Sequence, residues 1–334
     1  MKLKKTSLAT ALVAALAMGA AGQASASVYA GSSLDVSNLV IGFVNQNTGA
    51  VITNLSPNFT FNVEDSATLN GSTQAFAASC SSLLGNCSAV PPVLAVNAAN
   101  APGSSLTRAN NDYTLLGQGN GTYANSNAEI STAQLANGFP SESQQVAEAE
   151  LLVSGAGQAS SNIQSNTTWT FDFVIDTNLA VMNLSFVANP EMKADVTLIP
   201  PFTSGLAQAN LTTNFTLSRE GAPLVVWSPN GAGTGLLCGI GLTCTAAEGE
   251  SLNITLGVGP ASETAQHSLG TAGTNFSLRA EGLTEGRYSL TLAALTSVNV
   301  TQVPEPGTLV LLGGALAALG VGGLRRRREE KVAA

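Results

Sequence analysis

Carboxylates are the residues of this chain best placed to do chemistry, and several come in close pairs. Glu148 and Glu150 sit two apart in QVAEAELLVSG, Asp172 and Asp176 four apart in TWTFDFVID, and Glu64-Asp65 are adjacent in NFTFNVEDSA. Two acids facing each other across a cleft at about 5–10 Å would suit glycoside hydrolysis. A hard cation asks for six or more oxygens, so Glu64 and Asp65 alone are too few, and a solvated strand end is the preferred reading there. The single histidine, His267, lies in SETAQHSLG, which reads as a polar surface loop, and no nucleophile elbow is visible near it. NGAGTG from Asn230 lacks the third spaced glycine of a dinucleotide loop and runs into a Cys-rich turn, so it reads as a hairpin loop. The four cysteines form two local pairs, Cys80/Cys87 and Cys238/Cys244. Two small disulfide loops are expected; metal ligation would want more histidine or cysteine nearby. No metal and no cofactor are expected.

Strands must position these residues. In TWTFDFVID, Trp169, Phe171, Phe173 and Ile175 share one face and Thr170, Asp172 and Asp176 the other; in QVAEAELLVSG, Ala147, Ala149, Leu151 and Val153 lie opposite Glu148 and Glu150; in GRYSLTLAAL, Tyr288, Leu290 and Leu292 fall together. Period two, broken by Gly, Asn and Pro, predicts many antiparallel strands. NFTFNVED at Asn58, NFTLSREG at Asn214 and NFSLRAEG at Asn275 align residue for residue, each with two core-facing apolar residues and an acid at the seventh position. Their spacing is irregular, which disfavours a solenoid. Leu283 to Tyr288 is similar to the corner turn of immunoglobulin-like sandwiches, where a Tyr hydroxyl bonds back to the chain. The expected fold is therefore all-β: an antiparallel β-sandwich, jelly-roll or immunoglobulin-like, over residues 27–302.

The chain has 13 Lys+Arg and 21 Asp+Glu. Setting aside three lysines at the start, five cations of the tail and Glu305, Glu329 and Glu330 leaves five cations against 18 acids between Ser27 and Gln302, near −13. Such a surface repels nucleic acid and anionic lipid. Lys2, Lys4 and Lys5, the apolar run Leu8 to Ala21, and Ala24-Ser25-Ala26 read as a secretory signal peptide over residues 1–26, cut by signal peptidase after Ala26. At the other end, Gly307 to Leu324 is 18 residues without a charge. As a helix it would cover roughly 27 Å, just short of a bilayer core of about 30 Å. Arg325, Arg326, Arg327 and Arg328 then stop it and favour the cytoplasmic side, leaving the sandwich outside the inner membrane. Gly314, Ala318 and Gly322 recur every four residues along that span.

Val303-Pro304-Glu305-Pro306, an apolar span and an arginine cluster resemble the PEP-CTERM sorting signal of Gram-negative bacteria. The resemblance covers Val303 to about Arg328. It implies processing by exosortase, a membrane cysteine protease thought to cut near the Pro-Glu-Pro triplet, transient anchoring in the inner membrane, and delivery to the cell surface or beyond. The prolines favour extended backbone, which a protease cleft binds. Glu64-Asp65-Ser66-Ala67 also resembles the stretch for which one group of PEP-CTERM proteins is named. The implied protein is a non-enzymatic, exported surface, matrix or biofilm component whose polar surface suits contact with polysaccharide. A carbohydrate-binding (lectin-like) or carbohydrate-active module is the alternative, and exposure of Trp227 beside acids would favour it, since Trp169 reads as buried.

Overall fold

The computed structural model describes residues 26–55, 58–81, 86–96, 106–136, 139–153, 159–198, 202–270 and 272–304. The signal peptide up to Ser25 and the chain from Glu305 onward, including the apolar span, its Gly314/Ala318/Gly322 stripe and the arginines, lie outside them. Among the described residues no helix is long and apolar enough to cross a membrane.

In chain order the strands are β1 (Ala26–Asn45), β2 (Asn58–Leu69), β3 (Ser72–Cys80), β4 (Cys87–Ser88), β5 (Val93–Val96), β6 (Thr122–Ala136), β7 (Phe139–Val153), β8 (Ala159–Ile175) and β9 (Ala180–Thr197). They continue with β10 (Phe202–Arg219), β11 (Ala222–Trp227), β12 (Leu236–Cys238), β13 (Thr243–Glu248), β14 (Ile254–Val258), β15 (Glu263–Ser268), β16 (Thr274–Leu283) and β17 (Gly286–Pro304). They form two sheets. The first runs β13-β16-β9-β1-β7-β6-β4, with β15 on β9 and β5 on β6; the second runs β12-β11-β10-β17-β8-β2-β3, with β14 on β10. The pairings within both sheets are antiparallel, as expected of a β-sandwich.

Alternation decides which residues enter the core between the sheets. Trp169, Phe171, Phe173 and Ile175 are buried, while Asp172 and Asp176 are exposed. The three echoed segments each send both apolar residues inward: Phe59 and Phe61, Phe215 and Leu217, Phe276 and Leu278. Two aromatic groups result. Phe173 lies 4.7 Å from Phe43 and 4.6 Å from Phe171, and Phe171 lies 5.0 Å from Phe59. Farther along, Phe186 stacks on Phe276 at 5.0 Å and Phe215 packs on Trp227 at 4.9 Å. Each such pair adds about 0.5–1.5 kcal/mol beyond its area burial. The corner turn is present: the Tyr288 hydroxyl donates to the Thr284 carbonyl at 2.7 Å, and Arg219 holds the turn by donating to Thr284 Oγ1 and the Glu285 carbonyl, both at 2.7 Å.

Both ends of the described body meet at one end of the sandwich. Gln302 of β17 is paired with Gly205 of β10. A Cβ on Gly205 would lie 2.8 Å from Val28 of β1 and 2.9 Å from Val196 of β9. The first residues of β1 and the last of β17 therefore face each other across the core.

Candidate functional site

Glu148 and Glu150 share the outer face of the first sheet, but that face is not open to solvent. Residues 106–121 cross it as a strap, and both carboxylates are fully buried beneath it. Glu148 accepts from the Tyr29 hydroxyl at 2.7 Å, Arg108 Nη2 at 2.9 Å, and the amides of Leu116 and Gly117 at 3.0 and 2.7 Å. Glu150 accepts from Ser27 Oγ at 3.0 Å and from the amides of Gly119 and Asn120 at 2.8 and 2.9 Å. Arg108, itself buried, also donates to Asn125 Oδ1 and to the carbonyls of Asp112 and Thr114. Asn127 donates to the carbonyls of Ala109, Asn110 and Asp112.

Local backbone chemistry lets the strap do this. Gly117 and Gly119 have φ of 80° and 93°, a region that favours glycine, and it turns successive N–H groups toward the acids. Gly31 of β1 leaves the space the strap needs, since a Cβ there would lie 2.6 Å from the Tyr29 hydroxyl and 2.8 Å from Leu115. Burial pushes the Glu150 carboxyl above its usual range, against the pull of its amide and Ser27 hydrogen bonds. Burial, reinforced by Glu148, pushes both Tyr29 and Tyr123 far up, so both phenols stay protonated.

The same device recurs at the far edge. The NGAGTG turn is a loop, as its missing third glycine implies, and its amides do hold an anion: the chain's own Glu248. Glu248 Oε2 accepts from the amides of Asn230, Gly231 and Gly233 at 3.0, 2.8 and 3.3 Å. Its Oε1 accepts from Trp227 Nε1 at 2.6 Å. Trp227 is wholly buried, so the exposed aromatic that would favour a lectin is not found at that residue.

The remaining candidates separate. Glu64 is exposed and Asp65 buried, on opposite faces within β2. They occupy the middle of a strand, not its solvated end, because the ladder with β8 continues past them to Leu69. Asp172 lines an open groove of about 380 Å³ on the second sheet with Asn58, Glu220, Arg287 and Ser289; Asp176 does not reach it. His267 lies on β15 and not on a loop: its partner is Met192 of β9, and its Nε2 is buried. Among the described residues no group of three or more potential ligands could hold a metal ion. Disulfides join Cys80 to Cys87 and Cys238 to Cys244. Alternation could not reveal the strap. Its available signals were Arg108, one of only five cations between Ser27 and Gln302, and the Gly117-x-Gly119-x-Gly121 spacing.

At the end of the sandwich where both ends meet, Gln302 to Pro304 of β17 open the C-terminal stretch. Residues 302–328 match the family model of the PEP-CTERM protein-sorting motif. The chain carries a PEP-CTERM sorting signal. That signal implies an exported protein processed at the membrane by exosortase. Val303 to Pro306 and Arg325 to Arg328 all fall within the matched stretch. No curated protein matches the chain. Among solved structures, infectious bursal virus-derived T=1 particles are similar at 11% identity over 87% of this chain and 84% of that one, with a TM-score of 0.10. The infectious bursal disease virus Gx strain gives 10% identity over 85% and 82%, also at 0.10. Scores this low carry no weight for fold or function.

Proposed function

We propose that this is a non-enzymatic surface or extracellular-matrix protein of a Gram-negative bacterium, sorted by exosortase through its PEP-CTERM signal and belonging with the E-D-S-A group. The observation that carries the reading is the fusion of the matched sorting motif to the last strand of a disulfide-bearing sandwich. The engagement of Glu148, Glu150 and Glu248 by the chain's own donors supports a structural role for those acids. Signal peptidase removes residues 1–26, the apolar span holds the chain in the inner membrane, and release delivers residues 27–302 outward, where hydroxyl- and amide-rich strands meet polysaccharide. The test is fractionation of cells expressing the full chain. With Pro304-Glu305-Pro306 changed to alanines, the protein is expected at full length in the inner membrane after signal-peptide removal. Finding that variant shortened at the cell surface like the wild type would defeat the assignment and leave an ordinary membrane anchor.

A carbohydrate-binding module is the second reading. It draws on the open groove of Asn58, Asp172, Glu220 and Arg287, whose polar lining suits sugar hydroxyls. Glycan-array binding that is lost in Asp172→Ala and Arg287→Ala would favour it.

A further inference from the structure

The sorting motif begins inside the folded body. β17 is a central strand, paired with β8 on one side and β10 on the other. Its ladder with β10 continues through Val303, opposite Ser204, to Pro304, opposite Phe202; its ladder with β8 reaches Gln302, opposite Ala159. A protease cleft that binds extended substrate by strand addition needs a free backbone edge. At Gln302 both edges are taken, and at Val303 and Pro304 one edge is held by β10. The signal's first proline is therefore committed to the sandwich.

We infer that recognition by the sorting enzyme competes with the pairing of β17 to β10, so that the end of β17 must peel from the sandwich before the motif enters the enzyme. This rests on the exosortase reading above and adds a gate to it. Two features make the end openable. Pro304 has no N–H, so β17 supplies no donor at the last rung. Gln302 is fully buried, and neither its Oε1 nor its Nε2 finds a hydrogen-bond partner among the described residues. A buried amide without partners favours the state that returns it to water. The sandwich thus holds Val303 and Pro304 by one edge, next to a rung that carries an unsatisfied buried amide. The reaction sees only the opened fraction, and its rate is reduced by that fraction.

Two variants of the full chain test this by pulse-chase in cells that process the wild type, with a melting measurement to show that the body stays folded. Ser204→Pro removes the β10 N–H opposite Val303 and does not lengthen the tether. A Gly-Ser linker of eight residues inserted between Gln302 and Val303 frees the motif outright. Each is expected to speed processing, about fivefold for each ladder bond removed. A wild-type rate in either variant overturns the inference. Acceleration by the linker with none in a folded Ser204→Pro also overturns it, because bulk at the membrane would then be the obstacle. The alanine variant of Pro304 to Pro306 runs alongside. If it too is processed, the exosortase reading fails; if it is blocked while Ser204→Pro is neutral, only the gate fails.

Discussion

Glu148→Gln is nearly isosteric, yet it should be among the most damaging single changes in the sandwich. The wild-type carboxylate receives four donors, one of them the buried guanidinium of Arg108 at 2.9 Å. The amide keeps one acceptor and turns an NH₂ toward a backbone N–H that can only donate, and Arg108 loses its buried counter-charge, keeping only the part-exposed Asp112 carboxylate at 3.7 Å. Removing one partner of a buried ion pair costs about 3–5 kcal/mol. The exposed pair Arg279–Glu281 is a control at 2.6 Å, shorter than the buried one, yet its side chains are 46% and 30% exposed. There Glu281→Gln should cost only about 0.2–1 kcal/mol. Urea unfolding of both variants, with hydrogen exchange of residues 106–121, separates the two sites. Glu148→Gln is expected to lose stability several-fold more than Glu281→Gln and to expose the amides of Leu116, Gly117, Gly119 and Asn120. Arg108→Met combined with Glu148→Gln should cost less than the two single losses added, since each single change strands its partner. Equal small losses at both sites, with strap amides still protected, would refute the view that buried charge pairing holds the strap.

Non-reducing peptide mapping should recover Cys80–Cys87 and Cys238–Cys244, and replacing either pair by serines should cost about 2.4 kcal/mol from the entropy of so short a loop; a Cys80–Cys238 link would contradict the fold. Stability should rise as pH falls from 7 to 5. Burial raises Asp35, Glu129, Glu142 and Glu150 above their ordinary values, so the folded chain holds protons that the unfolded chain releases, and that stability is lost as pH climbs through the raised values. At Asp112, burial raises the carboxyl but bonds from Thr114 and the charge of Arg108 outweigh it; the net lowering acts only in stronger acid. A melting temperature that falls between pH 7 and 5 would contradict this sign. Leucine at Gly314, Ala318 and Gly322 should slow processing if the stripe seats a helix of the enzyme, and an unchanged rate removes that role.

The inner faces of the strands were legible because alternation states which side a residue takes, and a sandwich core asks little more. Trp169 to Ile175, the echoed Phe59, Phe215 and Phe276, and the turn at Tyr288 were readable from neighbours in sequence. The outer face of the first sheet was not. Alternation places Glu148 and Glu150 opposite Ala147 and Ala149, but it says nothing of what crosses above them, and the strap arrives from about 30 residues upstream. His267 was misplaced for a related reason: the β15 ladder is fixed by Met192, some 75 residues away, and not by the polar residues beside it.

What joins Glu148, Glu150 and Glu248 is a shortage. Between Ser27 and Gln302 there are 18 acids and five cations, so few carboxylates that must be covered can be given a positive side chain. Backbone amides can hold an anion away from water in place of a cation, and glycine lets successive N–H groups converge on one. Glu148 receives the strap's one arginine and two amides, while Glu150 and Glu248 are held without any cation. The NGAGTG loop, which in sequence is compared with a dinucleotide loop, holds the chain's own Glu248 instead. Covered acids and a well-packed body are compatible here because donors of the chain itself replace water: main-chain amides at Glu148, Glu150 and Glu248, and the hydroxyls of Thr197 and Thr264 at the buried Asp195.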